Sequence, residues 1–379
     1  MKNLPITLLA FALSATVHAE FRGAWIPSVY NISFPSASSL SAETQKAQAL
    51  RILDAAKSAR LNAVLLQVRP ESDALYSSQI EPWSRYLTGT QGQSPGYDPL
   101  AFFIAEAGKR GIAVHAWLNP YRAAANAGQP RTANHITKKI PQFTYRVGNV
   151  LWMDPGAPQV RLQIVAVVRD LLSRYDLAGI HLDDYFYPYP TDSGLVYPFP
   201  DEKTYAAYRA IGGRLDKADW RRNNVHQLIH AISETVRSTK PGALFGVSPF
   251  GIYTKGSPPG VKAGVDQYHE LYSDPLKWMR EGWIDYLAPQ LYWAEGGPQS
   301  FSSLLRWWRS PRVNPRGIPI WPGLAVDRLS SHGWPASEIA TQLDLEKSTA
   351  PRGRGGFCLW NIGPLTKNTK NILPVVRSH

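Results

Sequence analysis

A single cysteine, Cys358, stands in 379 residues, so no internal disulfide can form and an oxidising compartment is tolerated without being used for stability. No Cys/His cluster at zinc spacing occurs, and no metal is expected. A glycine-rich phosphate turn between a strand and a helix is also missing, which argues against a nucleotide-binding open sheet; no cofactor is expected. No apolar run is long enough to span a bilayer, and no nucleic-acid motif is found. Acidic residues are the scarcer charge, 29 Asp and Glu against 41 Lys and Arg, for a net charge of +12. The basic residues are scattered, apart from short groups such as Arg221-Arg222, so the excess reads as a solvated surface drawn to anionic polymers.

The first nineteen residues have the pattern of a cleaved secretory signal: Lys2, an apolar stretch from Leu4 to Val17, then small residues ending at Ala19. A protein exported to the periplasm or beyond is expected, with residues 20–379 forming one domain. No cysteine near the cleavage point offers a lipid anchor. Thirteen tryptophans and eighteen tyrosines exceed what a core needs, and flat aromatic faces pack well on pyranose rings.

Short β-rich segments alternate with helical periodicity, as parallel βα units require. Strands are expected at 22–25, 63–69, 113–118, 179–183, 244–248, 286–291, 318–324 and 356–360, with helical runs at 42–59, 100–110, 159–175, 223–239 and 337–347. Eight units indicate a closed (β/α)8 TIM barrel, α/β in class. The long Pro-, Tyr- and Gly-rich stretches 185–219 and 251–274 would then rise from the C-terminal face as groove walls.

A barrel interior normally holds aliphatic side chains, so polar residues at strand ends carry the functional reading. Along Gly-Ile-His-Leu-Asp-Asp, alternation sends Gly179, His181 and Asp183 to one side, and Asp184 opens the loop. Two adjacent carboxylates can raise one another's pKa and supply a proton donor. In Gln-Val-Arg-Pro-Glu-Ser-Asp, Arg69 is a candidate to position the sugar or, by pairing with Asp183 or Glu71, to fix carboxylate geometry; Glu71 and Asp73 are candidates to meet substrate. The third strand offers Trp117 and Asn119, then Tyr121, while His115 lies deep and reads as a core histidine. The sixth offers Gln290, Tyr292, Trp293 and Glu295, and the eighth Trp360, a platform for a sugar or a packing residue.

Seven motifs in order resemble the glycosyl-hydrolase-like 10 family of bacterial exported barrels. They are Phe-Arg-Gly-Ala-Trp-Ile-Pro-Ser-Val-Tyr-Asn, Gln-Val-Arg-Pro-Glu-Ser-Asp-Ala-Leu-Tyr, Ala-Trp-Leu-Asn-Pro-Tyr-Arg, Trp-Met-Asp-Pro-Gly, Gly-Ile-His-Leu-Asp-Asp-Tyr-Phe-Tyr-Pro, Asp-Trp-Arg-Arg-Asn-Asn-Val and Pro-Gln-Leu-Tyr-Trp. The resemblance implies a (β/α)8 barrel that cleaves sugars, since an enterobacterial division-site member acts on peptidoglycan strands stripped of their stem peptides. Peptidoglycan, with cell-division or wall-remodelling proteins as partners, follows from that resemblance. The fourth strand also resembles the chitinase strand D-x-x-D-x-D-x-E. His181 and Asp183 fall on its last two aspartates, and Tyr185 falls where the chitinase acid stands. The missing glutamate puts the chitinase mechanism in doubt. Exported poly-N-acetylglucosamine hydrolases, with a similar His-Asp-Asp strand end, favour Asp183 or Asp184 as the donor.

The expectation is hydrolysis of a β-linked N-acetylated glycan. Asp184 or Asp183 would be the acid and Glu71 a candidate second carboxylate, unless the N-acetyl group itself is the nucleophile and none is needed. A non-catalytic wall-binding protein and a hydrolase of another exopolysaccharide are the alternatives.

Overall fold

The computed structural model describes residues 20–190 and 198–379; the export signal read in residues 1–19 lies outside the described residues. Eleven strands occur among them: β1 Phe21–Ile26, β2 Ala63–Arg69, β3 Ala113–Leu118, β4 Arg122–Ala124, β5 Thr144–Val147, β6 Val150–Met153, β7 Gly179–Leu182, β8 Leu244–Val247, β9 Tyr286–Leu287, β10 Gly323–Leu324 and β11 Gly356–Leu359. Eight form one parallel sheet in the order β10-β11-β1-β2-β3-β7-β8-β9. Its two ends meet through the bridges Leu287–Ile320 and Gln290–Gly323, with Trp321 N–H donating to Leu287 O at 2.9 Å and Gly323 N–H to Pro289 O at 2.8 Å. The cylinder is therefore closed, and the α/β (β/α)8 expectation holds.

Helices follow the barrel strands on the outside, and local chemistry sets their ends. Ala42–Ser58 starts where the Ser41 hydroxyl accepts from Thr44 N–H, and Pro99–Gly108 where Asp98 accepts from Ala101 N–H. Proline occupies the first turn of Pro99–Gly108, Pro158–Arg174 and Pro275–Glu281, where its missing N–H costs nothing. Left-handed residues, Arg60 (φ 55°) and Gly111 (φ 69°), turn the chain from helix to strand before β2 and β3.

The barrel's inside differs from the aliphatic filling usual for this fold. Phe21, Trp25, Leu65, Trp117, Tyr286, Trp321 and Cys358 form an inner cluster distinct from the large aliphatic layer between strands and helices. Phe21 and Trp321 stack at 3.9 Å between centroids. Glycine supplies the room: a Cβ on Gly246 would lie 2.0 Å from the Tyr286 ring, and one on Gly179 would lie 2.6 Å from His115 Nδ1.

Two additions stand on the C-terminal rim. After β3, the chain forms a small antiparallel sheet, β4-β6-β5. The segments following β7 and β8 are joined by arginines of the helix Lys217–Thr239. Arg221 clamps Asp201 at 2.7 and 2.8 Å and donates to Tyr272 Oη at 2.8 Å, while Arg222 donates to Tyr268 O at 3.1 Å. Phe186, Tyr187, Phe199 and Ile252 from these segments pack into the aliphatic layer.

Candidate active site

At the C-terminal mouth lies a cavity of about 170 Å³ lined by Trp25, Trp117, Asp183, Asp184, Tyr185, Ser248, Gln290, Tyr292 and Trp360. Its residues come from the ends of β1, β3, β7, β8, β9 and β11. Trp360 stands against Trp25, Trp117 and Tyr292, with ring centroids 6.1, 6.0 and 6.2 Å away.

Asp183 follows β7 directly and is 4% exposed. Its Oδ2 accepts from Trp117 Nε1 at 3.1 Å and Asn119 Nδ2 at 2.9 Å. Burial pushes its pKa up to about 6, against the opposing pull of Arg122 and of those donors. Asp184, 1% exposed, accepts from the Tyr189 hydroxyl. Burial first, and then the charge on Asp183, raise it to about 7. The outcome is two adjacent acids that change charge near neutrality inside an aromatic cup. Tyr185, 37% exposed, is the wettest part of this wall.

One layer deeper, His181 is sealed among donors and acceptors. The Trp25 indole can only donate, and it reaches His181 Nε2 at 3.1 Å, so the histidine proton resides on Nδ1. Nδ1 faces Tyr286 Oη at 3.0 Å, and Tyr286 in turn reaches His115 Nδ1 at 3.2 Å. Burial, then the neighbouring His115, hold the His181 pKa well below the ordinary value, so the ring is neutral. His181 supports the floor rather than lining the cavity. His115 lies in the same buried stack.

Other expected residues fall elsewhere, each for an identifiable reason. Arg69 pairs with neither Asp183 nor Glu71; it is fully buried and forks onto Glu81 at 2.6 and 2.8 Å. Its Nη1 also donates to Asn119 O and Pro120 O, so it braces the loop that presents Asn119. Glu71 is absent from the lining. It accepts from Arg85 at 3.0 and 3.2 Å, from Tyr86 Oη at 2.7 Å and from Ala125 N–H at 2.7 Å. Burial raises its pKa, but those donors outweigh it and leave the carboxylate below its ordinary value. Asp73 is buried beside Glu71, accepting from Glu71 N–H at 3.2 Å and Gln91 at 3.3 Å. Tyr121 lies wholly in the aliphatic layer, and Trp293 packs against Phe250 at 5.6 Å. Glu295 accepts from the Ser302 N–H at 2.8 Å and from the Ser300 and Ser302 hydroxyls, so it satisfies a first-turn donor of the helix Phe301–Arg309, whose N-cap residue is Ser300. The sequence reading missed Trp25 and Ser248 in the lining. Both sit on barrel strands or at their ends, where the strand-end rule could have found them.

The closed barrel, its paired acids and its aromatic cup frame a comparison with known proteins. The family model described as "Glycosyl hydrolase-like 10" matches residues 20–335. The chain belongs to the glycosyl-hydrolase-like 10 family. It is 40% identical over 330 residues to "Glycosyl hydrolase YngK" of Bacillus subtilis (strain 168), covering 85% of this chain and 64% of that protein. It is 38% identical over 356 residues to "Glycosyl hydrolase DigH" of Escherichia coli (strain K12), covering 86% of this chain and 79% of the relative. The chain thus spans under two thirds of the Bacillus relative's length. Among solved structures, this glycosyl-hydrolase-like 10 barrel resembles the catalytic domain of a β-amylase from Paenibacillus polymyxa (TM-score 0.61, 12% identity, 95% and 98% of the two chains). It also resembles the PgaB (BpsB) glycoside hydrolase domain from Bordetella bronchiseptica (TM-score 0.54, 12% identity, 94% and 97%). At that identity the likeness concerns the fold alone. Among the described residues, no helix is long and apolar enough to cross a membrane.

Proposed function

We propose that this protein is an exported glycoside hydrolase that cleaves β-linked N-acetylated glycan, with peptidoglycan strands lacking stem peptides as substrate. The observation that carries the reading is the pair Asp183–Asp184, buried in an aromatic-lined cavity with pKa values raised to about 6 and about 7. Asp184 keeps its proton longer because Asp183 ionises first, and it donates that proton to the glycosidic oxygen. Asp183, its charge held by Trp117 and Asn119, faces the positive charge that develops on the sugar. Glu71 is saturated by four donors and takes no part. As the C1–O bond breaks and the protonated leaving sugar departs, the substrate's own acetamido oxygen bonds to the anomeric carbon, with Asp183 accepting from the acetamido N–H. Water, giving a proton to the Asp184 carboxylate, then opens the resulting oxazolinium ring and restores the acid. Trp25, Trp117, Tyr292 and Trp360 pack the apolar face of the ring. The names of the relatives and the family motifs support the same chemistry. An amidase that strips stem peptides must supply such a substrate, so wall-remodelling enzymes are the natural partners.

The test is release of soluble saccharides from purified, amidase-treated sacculi. The wild-type protein releases them; Asp184→Asn and Asp183→Asn lose about 100- to 10,000-fold in rate, as expected for a general acid and its partner. Equal release by all three rejects the assignment. Retention on sacculi with no fragment released makes the protein a glycan-binding module instead.

A further inference from the structure

Among the described residues five arginines are buried, and four hold a carboxylate: Arg22 with Glu20 (3.5 Å), Arg69 with Glu81 (2.6 Å), Arg221 with Asp201 (2.7 Å) and Arg222 with Asp219 (2.6 Å). The fifth, Arg122, makes no ion pair among the described residues, although its charge is felt by the nearby Asp183. It opens β4 three residues past Asn119, is 7% exposed, and spends only its Nε, on Pro70 O at 3.1 Å. Its guanidinium lies over the ring of Tyr185, 5.2 Å from the centroid, and Tyr185 is itself part of the cavity wall. Among the described residues Nη1 and Nη2 have no acceptor, and neither is a sealed, unsatisfied atom. A positive, planar fork is thus fixed at its root, stacked on a wall residue, with its outer edge open.

We propose that this open edge is a subsite for a carboxylate carried by the glycan beside the scissile bond: the lactyl ether carboxylate of a muramic residue without its stem peptide. This rests on the reading of the protein as an N-acetylglycan hydrolase and adds to it the feature that selects stripped strands. A guanidinium presents two parallel N–H donors that match a carboxylate, and the pairing is strong where water is scarce. When a stem peptide is attached, the same carbonyl is an amide, neutral and bulkier, and the fork gains no charge partner. A uronic acid offers the same carboxylate on a different skeleton, so the test includes one.

The Asp184→Asn protein is titrated calorimetrically with a stem-free N-acetylglucosamine–muramic tetrasaccharide, with the same sugar after conversion of its lactyl carboxylates to amides, and with an N-acetylglucosamine–glucuronate tetrasaccharide. The acidic muramic sugar is expected to bind about 10- to 100-fold more tightly than its amide, the range for hydrogen bonds to a charged group. In Asp184→Asn/Arg122→Gln that ratio collapses toward one, and wild-type turnover shows the same preference in KM rather than kcat. Equal binding of acid and amide by the protein that keeps Arg122, or a preference that survives Arg122→Gln, overturns the proposal. Tighter binding of the glucuronate sugar overturns the lactyl assignment. A charge preference in binding, with no wild-type turnover of any of the three, sinks the hydrolase reading while the Arg122 subsite stands.

Discussion

Asp183 and Asp184 pull stability and activity in opposite directions. Each carboxyl is held above the ordinary carboxylate range, so the folded state binds its proton more tightly than the unfolded chain does. Their contribution to stability is therefore most favourable at low pH and declines as pH rises through about 4 to 7, because a charge must then be kept in a buried site. Replacing Asp184 with Asn removes that cost. The variant should melt several degrees above wild type at pH 8, with the gap closing near pH 4, while its turnover is lost; a gap independent of pH, read by thermal unfolding, contradicts the account. The proposed mechanism requires Asp183 ionised and Asp184 protonated. The rate on glycan should form a bell whose limbs belong to the pair, with its crest between about pH 6 and 7. A rate that keeps climbing to pH 9 excludes Asp184 as the acid.

At the level of elements, alternation along β7 was enough to read from the sequence which side chains face inward: Asp183 and the following Asp184 reach the mouth, while His181 lies one layer below. The same rule found Trp117, Asn119 and Trp360, because inward parity near a strand end is a local property of the backbone. It failed further along the loops, from the second residue past the strand onward. Past the strand, parity no longer says which donors will claim a carboxylate, and Glu71, Asp73 and Glu295 were claimed by Arg85, Gln91 and Ser302. The small sheet β4-β6-β5 was missed because its strands are three or four residues long and too short to declare a period. Yet Trp152 of β6 donates its indole N–H to Phe186 O at 3.1 Å and ties that sheet to the loop bearing the acids. Two variants test the supports. Glu295→Ala should cost about 1 kcal/mol in urea unfolding, the usual worth of an acceptor for a first-turn helix donor, without a matching loss of turnover in the protein that stays folded. Glu81→Gln leaves Arg69 charged and sealed, and should cost about 3–5 kcal/mol. A loss below 1 kcal/mol would mean that water reaches Arg69.

For the whole molecule, the closed cylinder and the charge balance answer different questions. Eight βα units could be counted in the sequence because short β-rich segments alternate with helical periodicity, and the cylinder they close fixes where loops converge. What fills its centre was not legible: stacked Phe21, Trp321 and Tyr286 in place of aliphatic layers depend on glycines in neighbouring strands, a relation between distant positions. Net charge, by contrast, is a sum that needs no fold, and +12 bears on encounter rather than on chemistry. Stem-free glycan strands carry a carboxylate on alternate sugars, so a basic protein is drawn to them over distances set by the ionic strength. The screening length falls from about 30 Å at 0.01 M salt to about 10 Å at 0.1 M and about 3 Å at 1 M. Association of the Asp184→Asn protein with denuded sacculi, followed by co-sedimentation, should therefore weaken steadily from 0.01 to 1 M salt. Turnover of a short neutral chitin-type oligosaccharide by the wild-type protein should hardly change over the same range, because the acids that cut it are buried away from mobile ions. If both fall together, salt is acting on the cavity; if neither falls, the surface charge has no part in finding the wall.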